Sequence, residues 1–489
     1  MRVPAAVRML VGITVAVSAC GTQDATAPPT AGLRILWGDG VTDTILTPLD
    51  QTLMVEVRSE RGVPVQGTQV RFDPVERGGQ PDVYITYPSS TSFLTLLDDT
   101  TDALGLVAVR VKLGVHAGAA KLRLSVPQLG FQDTARFTIL PGHPAQVVVT
   151  PGDTAVYAGA SFQSSATVFD TWGNLRTDQA TFSPLTGVDV TSTGKITAGA
   201  DIARASYTAT VAGTASVAAA SGTGWVSIVP HGTLVAYHAT YYPEAPSLVT
   251  FNLDGSGYHE IAPILYLEAS AWTPSGTTFV FGGAVQPGFL WMYTSDLAGN
   301  VQRLGTPQDS GLTSVSWPVY SPDGQALYFT GYAAPYQYSL WRADADGRNP
   351  HLLYADPSGI AWRESLSPDG TRLAFTAENP AIIRVYTIAS RTVSSWSVRG
   401  HTPRWSPTSD SIAFATQWGG PIHLMKSDGT GMRQVSAPNR SYSETSIAWS
   451  PDGAWLVARG AVLELINVAS GLTLPLGYTG ALAEPVWKP

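Results

Sequence analysis

Ser321-Pro322-Asp323-Gly324 recurs as Ser367-Pro368-Asp369-Gly370 and Ser450-Pro451-Asp452-Gly453, with looser copies at Thr273-Pro274-Ser275-Gly276 and Ser406-Pro407-Thr408-Ser409. The repeat prolines fall at 274, 322, 368, 407 and 451, and Pro489 completes a sixth copy, so successive spacings are 48, 46, 39, 44 and 38 residues. A period of about 40 to 50 residues is that of a propeller built from one four-stranded blade per repeat. Serine, proline, aspartate and glycine in this order suit a type I turn, with proline at its second position and glycine at its fourth.

Working outward, each turn is followed by a short apolar run: FVFG at 279–282, LYFT at 327–330, LAFT at 373–376 and IAFA at 412–415. Runs this short, rich in aromatic residues, are expected as second strands. Third strands follow, as at 338–343 and 422–426, and blades carry Asp254-Gly255, Asp346-Gly347 and Asp428-Gly429 steps. Such steps tolerate the positive φ of a tight hairpin. Two residues before each repeat proline stands Trp272, Tyr320, Leu366, Trp405, Trp449 or Trp487. That fixed offset predicts one recurring packing position between neighbouring blades. The stretch GTLVAYHA (232–239) has no turn of the repeat before it, and 485–487 is a first strand with no second. Joined, they complete a sixth blade and leave no open sheet edge.

PRWSP (403–407), AWSPDG (448–453) and PVYSPDG (318–324) resemble the TolB-like, Pro-Asp class of WD-like propeller repeats, and the resemblance covers residues 230–489. Before it, GVPVQGTQVRF (62–72), the alternating stretch 101–126 and ARFTI (135–139) resemble the bacterial Ig-like group 1 domain, over 32–141. The stretches 145–174, STGKITA (192–198) and ASYTATVAG (205–213) resemble the group 2 domain, over 142–229. The resemblance implies an all-β chain of two Ig-like β-sandwiches followed by a six-bladed β-propeller closed by the C-terminal strand. It also implies that the sandwiches serve as a stalk or an adhesive module. With charged residues at 13%, 48 glycines, 35 prolines and no sustained helical period, composition agrees with an all-β secreted chain.

The other end sets the expected compartment. Arg2 and Arg8 precede an apolar stretch at 9–17, and Val17-Ser18-Ala19-Cys20 places small residues before the chain's single cysteine. This is the pattern of a signal peptide (1–19) ending in a lipobox. The stretch is shorter than the about 20 residues of a spanning helix. By resemblance to bacterial lipoproteins, Cys20 carries lipid, 20–31 is a flexible tether, and two or more acyl chains anchor the protein to the membrane. Gly21, where an aspartate would signal inner-membrane retention, favours the outer membrane, on its periplasmic or surface face. Net charge is −8, and without Arg2 and Arg8 the 27 basic and 37 acidic residues give −10. Dispersed basic residues exclude a nucleic-acid partner, which needs clustered lysine and arginine.

No motif calls for a cofactor or a catalytic centre. The chain has no G-x-S-x-G elbow. Its Asp-Gly spacing is not that of a sialidase Asp box. His231, His238, His259, His351, His401 and His423 fall at different strand positions, whereas a metal needs three or four ligands at one point. Asp344-Ala345-Asp346-Gly347 lacks the rest of a calcium loop.

The candidate site comes from register. First strands line a propeller's channel, so residues five or six before each repeat proline should crowd one mouth. Glu268, Trp317, Trp362, Arg363, His401, Ser446 and Glu484 are the candidates. The tryptophans suit stacking on a sugar or peptide, and Arg363 suits a carboxylate. The competing expectation is structural: Arg363 pairs with Glu364, Glu268 or Glu484, and the indoles pack between blades. The expected function is a noncatalytic binding or scaffolding module that takes an envelope protein, peptide or glycan. The alternatives are a carbohydrate-active lyase or hydrolase at the mouth, and an adhesin acting through the Ig-like domains, at 45–57 or at 78–92 with Tyr84 and Tyr87.

Overall fold

The computed structural model describes residues 30–238, 246–285, 290–305, 311–334, 337–377, 381–394, 396–417, 419–443, 447–476 and 482–489. Cys20 and Ser446 lie outside the described residues, as do all of 1–19, the expected signal peptide, and most of 20–31, the expected tether. Every regular element among the described residues is a β-strand. The chain forms two compact units, one reaching to His143 and including Phe169–Arg176, the other comprising Pro144–Val168 and Thr177–Pro489.

In the first unit one sheet runs in the order Gly32–Trp37, Leu53–Arg58, Leu106–Leu113, Val83–Thr86. The other runs Thr42–Thr44, Phe131–Leu140, Gly118–Val126, Gln69–Pro74, Leu97–Thr100. Strict alternation along Leu106–Leu113 turns Val107, Val109, Val111 and Leu113 to one side, where they meet Phe72, Leu122, Leu124 and Phe137 of the facing sheet. Each such burial contributes about 1.5 to 3 kcal/mol, so a two-sheet sandwich without a cysteine pair is held by its apolar faces.

The second unit begins with sheets that enclose a smaller core around Tyr207, Val226, Ile228 and Ile196. The Tyr207 hydroxyl is buried there, within 2.9 Å of the Ser164 hydroxyl. Six sheets of a β-propeller follow, five of them built on strands in chain order. Their first strands are Tyr266–Trp272, Ser314–Tyr320, Ala361–Leu366, His401–Trp405 and Ile447–Trp449. In the remaining sheet Thr233–His238 pairs on one side with Ser247–Asn252 and on the other with Leu482–Trp487, matching Leu234 to Trp487 and His238 to Leu482. The six first strands neighbour one another in cyclic order.

Turn chemistry explains the repeat. In each intact copy the glycine N–H donates to the serine carbonyl, 2.8 Å at Gly324 and Gly370 and 2.9 Å at Gly453. The aspartate accepts from the serine hydroxyl and from the backbone N–H of the residue after the glycine. These bonds to its charged form hold the Asp369 carboxyl down at about 2. Trp405 packs between Val385 of one sheet and Phe414 of the next, and Trp487 packs between Trp455 and Leu234. The recurring position two before the proline is thus an inter-sheet wedge at these two places.

Candidate functional site

The inner strands are not regular. Pairing with the second strand slips between Leu267 and Ala269, Ser316 and Val319, Trp362 and Ser365, and His401 and Arg404, and again opposite Ala483 and Val486. At four of these bulges a residue other than glycine takes positive φ: Trp317 (58°), Arg363 (58°), Thr402 (50°) and Glu484 (49°). All four stand five places before a repeat proline. A bulge rotates the following side chains and tightens the strand's twist. One repeated distortion therefore aims a ring of large side chains into the channel.

What that ring encloses is a stack of charges and indoles. The Arg363 guanidinium lies 4.2 Å from the Trp362 ring centre and 5.8 Å from that of Trp317, and donates to the Thr402 hydroxyl at 3.2 Å. Arg404 approaches Trp317 at 4.4 Å and donates to the carbonyls of Ile447 (3.2 Å) and Pro403 (3.3 Å). Burial lowers the Arg404 pKa to about 10, against the opposing pull of Glu484. Glu364 is 4% exposed; Thr330 donates to its Oε2, while Oε1 is buried without a hydrogen-bond partner among the described residues. Desolvation pushes its carboxyl up to about 8. Trp317, Arg363, His401 and Glu484 are each below 10% exposed, so they sit within the channel wall rather than on its lip.

Toward solvent the surroundings become aromatic. Trp362 is half-buried, with the Tyr338 ring 5.6 Å away, and Tyr332 lies 5.3 Å beyond Tyr338. Glu268 is half-buried beside them. Tyr266, 47% exposed, reaches its carboxylate at 3.5 Å, and Ser316 also bonds to it. Burial raises the Glu268 pKa, while the bonds from Ser316 and Tyr266 and the nearby Arg363 charge work in the other direction.

Register thus brings together Glu268, Trp317, Trp362, Arg363, His401 and Glu484. It gave no sign of Arg404, Tyr266, Tyr332 or Tyr338, and Glu364 was expected only as a structural partner of Arg363. Arg404 stands only three places before its proline, and the bulge that turns it inward has no sequence signature. The tyrosines belong to strand ends whose partners become visible only once sheets are neighbours. A cavity of about 490 Å³ opens at the other end of the channel, the end bearing the repeat turns. Trp272, Trp405, Trp449 and Trp487 line it, with Arg404 and Glu484 in its wall. Among the described residues no three His, Cys, Asp or Glu side chains are grouped as metal ligands.

No family model matches the chain. Solved structures similar to it include TolB from Acinetobacter baumannii, 18% identical over 53% of this chain and 67% of that one, with a TM-score of 0.45. A putative TolB from Agrobacterium tumefaciens is 15% identical over 53% of this chain and 98% of that one, with a TM-score of 0.41. An oligogalacturonate lyase in complex with manganese is 19% identical over 50% and 74%, with a TM-score of 0.33. These names run from TolB to a lyase, so likeness in outline assigns no activity to this chain.

Proposed function

We propose that this chain is a cell-envelope lipoprotein, anchored through lipid on Cys20, in which two Ig-like domains carry a closed six-bladed propeller. It acts as a noncatalytic binding or scaffolding module whose channel mouth takes an envelope protein, peptide or glycan. The observation that carries this reading is the mouth itself: a half-buried carboxylate, Glu268, among Tyr266, Tyr338 and Trp362, above the buried side chains of Trp317, Arg363, His401 and Glu484. Pre-positioned aromatic surface around a few polar groups is the usual make-up of a binding pocket, and a rigid scaffold lowers the entropy lost on binding. Pairing of Thr233–His238 with Leu482–Trp487 supports closure. The two-sheet arrangement of the first unit supports an Ig-like domain there. No helix among the described residues is long and apolar enough to cross a membrane.

The test is capture of partners from solubilised envelope and glycan extracts by the full-length protein. A variant carrying Tyr266→Ala, Glu268→Gln and Tyr338→Ala serves as control, after both have been shown to melt alike. Retention by the unmodified protein alone is expected. Equal retention by both, or by neither, overturns the mouth as the binding site.

A further inference from the structure

The first unit leaves aliphatic side chains standing in solvent at one end, and it is the end at which the chain enters. Gly32 pairs with Arg58, Glu56 with Leu106, Gln69 with Thr100 and Val126 with Phe131. The start of the first strand, the connection 59–68 and the turns 101–105 and 127–130 therefore share that end. On them Val63 is 56%, Leu104 63% and Leu129 42% exposed. The three connections touch: the Gly67 N–H donates to the Thr101 carbonyl (2.9 Å), the Val57 N–H to that of Gly105 (2.8 Å), and the Thr68 hydroxyl reaches Gln128 Oε1 at 3.5 Å.

None of these side chains is needed by its turn. The hairpin at 59–63 is closed by the Ser59 and Gly62 amides on the Val63 and Ser59 carbonyls, and the turn at 126–130 by the Leu129 and Gly130 amides on the Val126 carbonyl. At 102–105 the Asp102 carboxylate accepts the Leu104 and Leu106 amides. Backbone groups and Asp102 thus make the turns, and the side chains of residues 63, 104 and 129 project from them. A single exposed leucine is ordinary, but apolar residues gathered on adjoining turn tips mark an interaction surface. The charges of the same connections, Glu60, Arg61 and Asp102, nearly cancel, and Arg58 and Arg34 beside them are taken up by Glu56 at 2.6 and 2.9 Å. The attraction on offer is apolar.

The length of chain before this end says what covers it. Ten peptide steps separate Cys20 from Thr30, and ten residues span at most about 36 Å however far they are drawn out. Lipid on Cys20 would keep this end of the sandwich within that distance of the bilayer. The opposite end can stand a strand's length farther off, about 26 Å for Leu106–Leu113.

We propose that this end of the first unit docks on the lipid surface of the membrane, with Val63, Leu104 and Leu129 entering the boundary between headgroups and acyl chains. This rests on lipid attachment at Cys20, and it adds which surface of the protein faces the bilayer. The test uses the full-length lipidated protein in vesicles of phosphatidylethanolamine and phosphatidylglycerol. Cys20 is the chain's single cysteine and lipid consumes its thiol, so Leu104→Cys supplies one thiol for an environment-sensitive fluorophore. Gln80→Cys is the control, in the hairpin that leads to Val83 at the opposite end, where Val83 pairs with Leu113. The label at 104 is expected to shift to the blue and to lose about half or more of its emission to nitroxides carried on acyl chains, because apolar groups at such a boundary sit about 5 to 10 Å deep. The label at 80 is expected to keep its emission. Adding Val63→Ser and Leu129→Ser, exposed changes that leave melting in place, is expected to bring quenching at 104 down toward that at 80. Equal quenching at the two positions overturns the docking. So does a blue shift at 104 without quenching, which would mean that the tether or a second copy covers the tips. Quenching unchanged by the two serines overturns it as well, since the label alone would then insert. If the unsubstituted protein takes up label, Cys20 carries no lipid, and attachment and docking fall together. If it takes up none and sediments with vesicles while 104 stays unquenched, docking alone is wrong.

Discussion

Glu364 shows what one buried carboxyl does to a molecule of this size. Its ordinary pKa is 4.5, and desolvation lifts it to about 8 in the folded protein. Between those values the unfolded chain releases a proton that the folded chain keeps. The contribution is therefore full below about pH 4.5 and falls as pH rises toward 8, with a slope of up to about 1.4 kcal/mol per pH unit. Glu364→Gln keeps the shape and a hydrogen bond to Thr330 while removing the titration. The variant's thermal midpoint is expected to fall less than that of the unmodified protein across this window. Parallel curves would show that Glu364 is not the titrating group.

At the level of the element, the closing strand and the bulges matter most. Leu482–Trp487 supplies the inner partner of Thr233–His238, and Trp487 is 7% exposed in the core that joins the two neighbouring sheets. Losing a buried tryptophan costs about 3 to 5 kcal/mol on its own, and removing residues 484–489 also bares a sheet edge. That truncation is expected to lower the thermal midpoint steeply or abolish a cooperative melt; an unchanged melt would rule out closure by this strand. The pairing of the C-terminal strand with Thr233–His238 was legible in the sequence because 232–239 lacks a preceding turn and 485–487 lacks a following strand. The turns were legible because serine, proline, aspartate and glycine each have one stereochemical task there. The bulges were not: Trp317, Arg363, Thr402 and Glu484 have nothing in common as residue types, and their positive φ values follow from the twist of strands converging on an axis. For the same reason the sequence left open which side chains of that register reach solvent.

For the whole molecule the question is where it is held. Lipid on Cys20 would add about 0.8 kcal/mol for each buried methylene, and two or more chains give stable attachment. Cys20→Ser is expected to shift the protein from the membrane fraction to the soluble fraction and to remove incorporation of a labelled fatty acid. Continued sedimentation with membranes, together with continued labelling, would place the lipid elsewhere or show another anchor. Composition made the all-β class legible at this scale, through few charges, many glycines and prolines, and no sustained helical period. The alternating strand directions have one more consequence. Thr233–His238 begins at the end of the propeller that bears the repeat turns, as every second strand does, so the polypeptide enters there and the tyrosine-rimmed mouth opens at the opposite pole. Insertion or deletion of residues just before Thr233 is therefore expected to leave the side chains of that opposite pole in place.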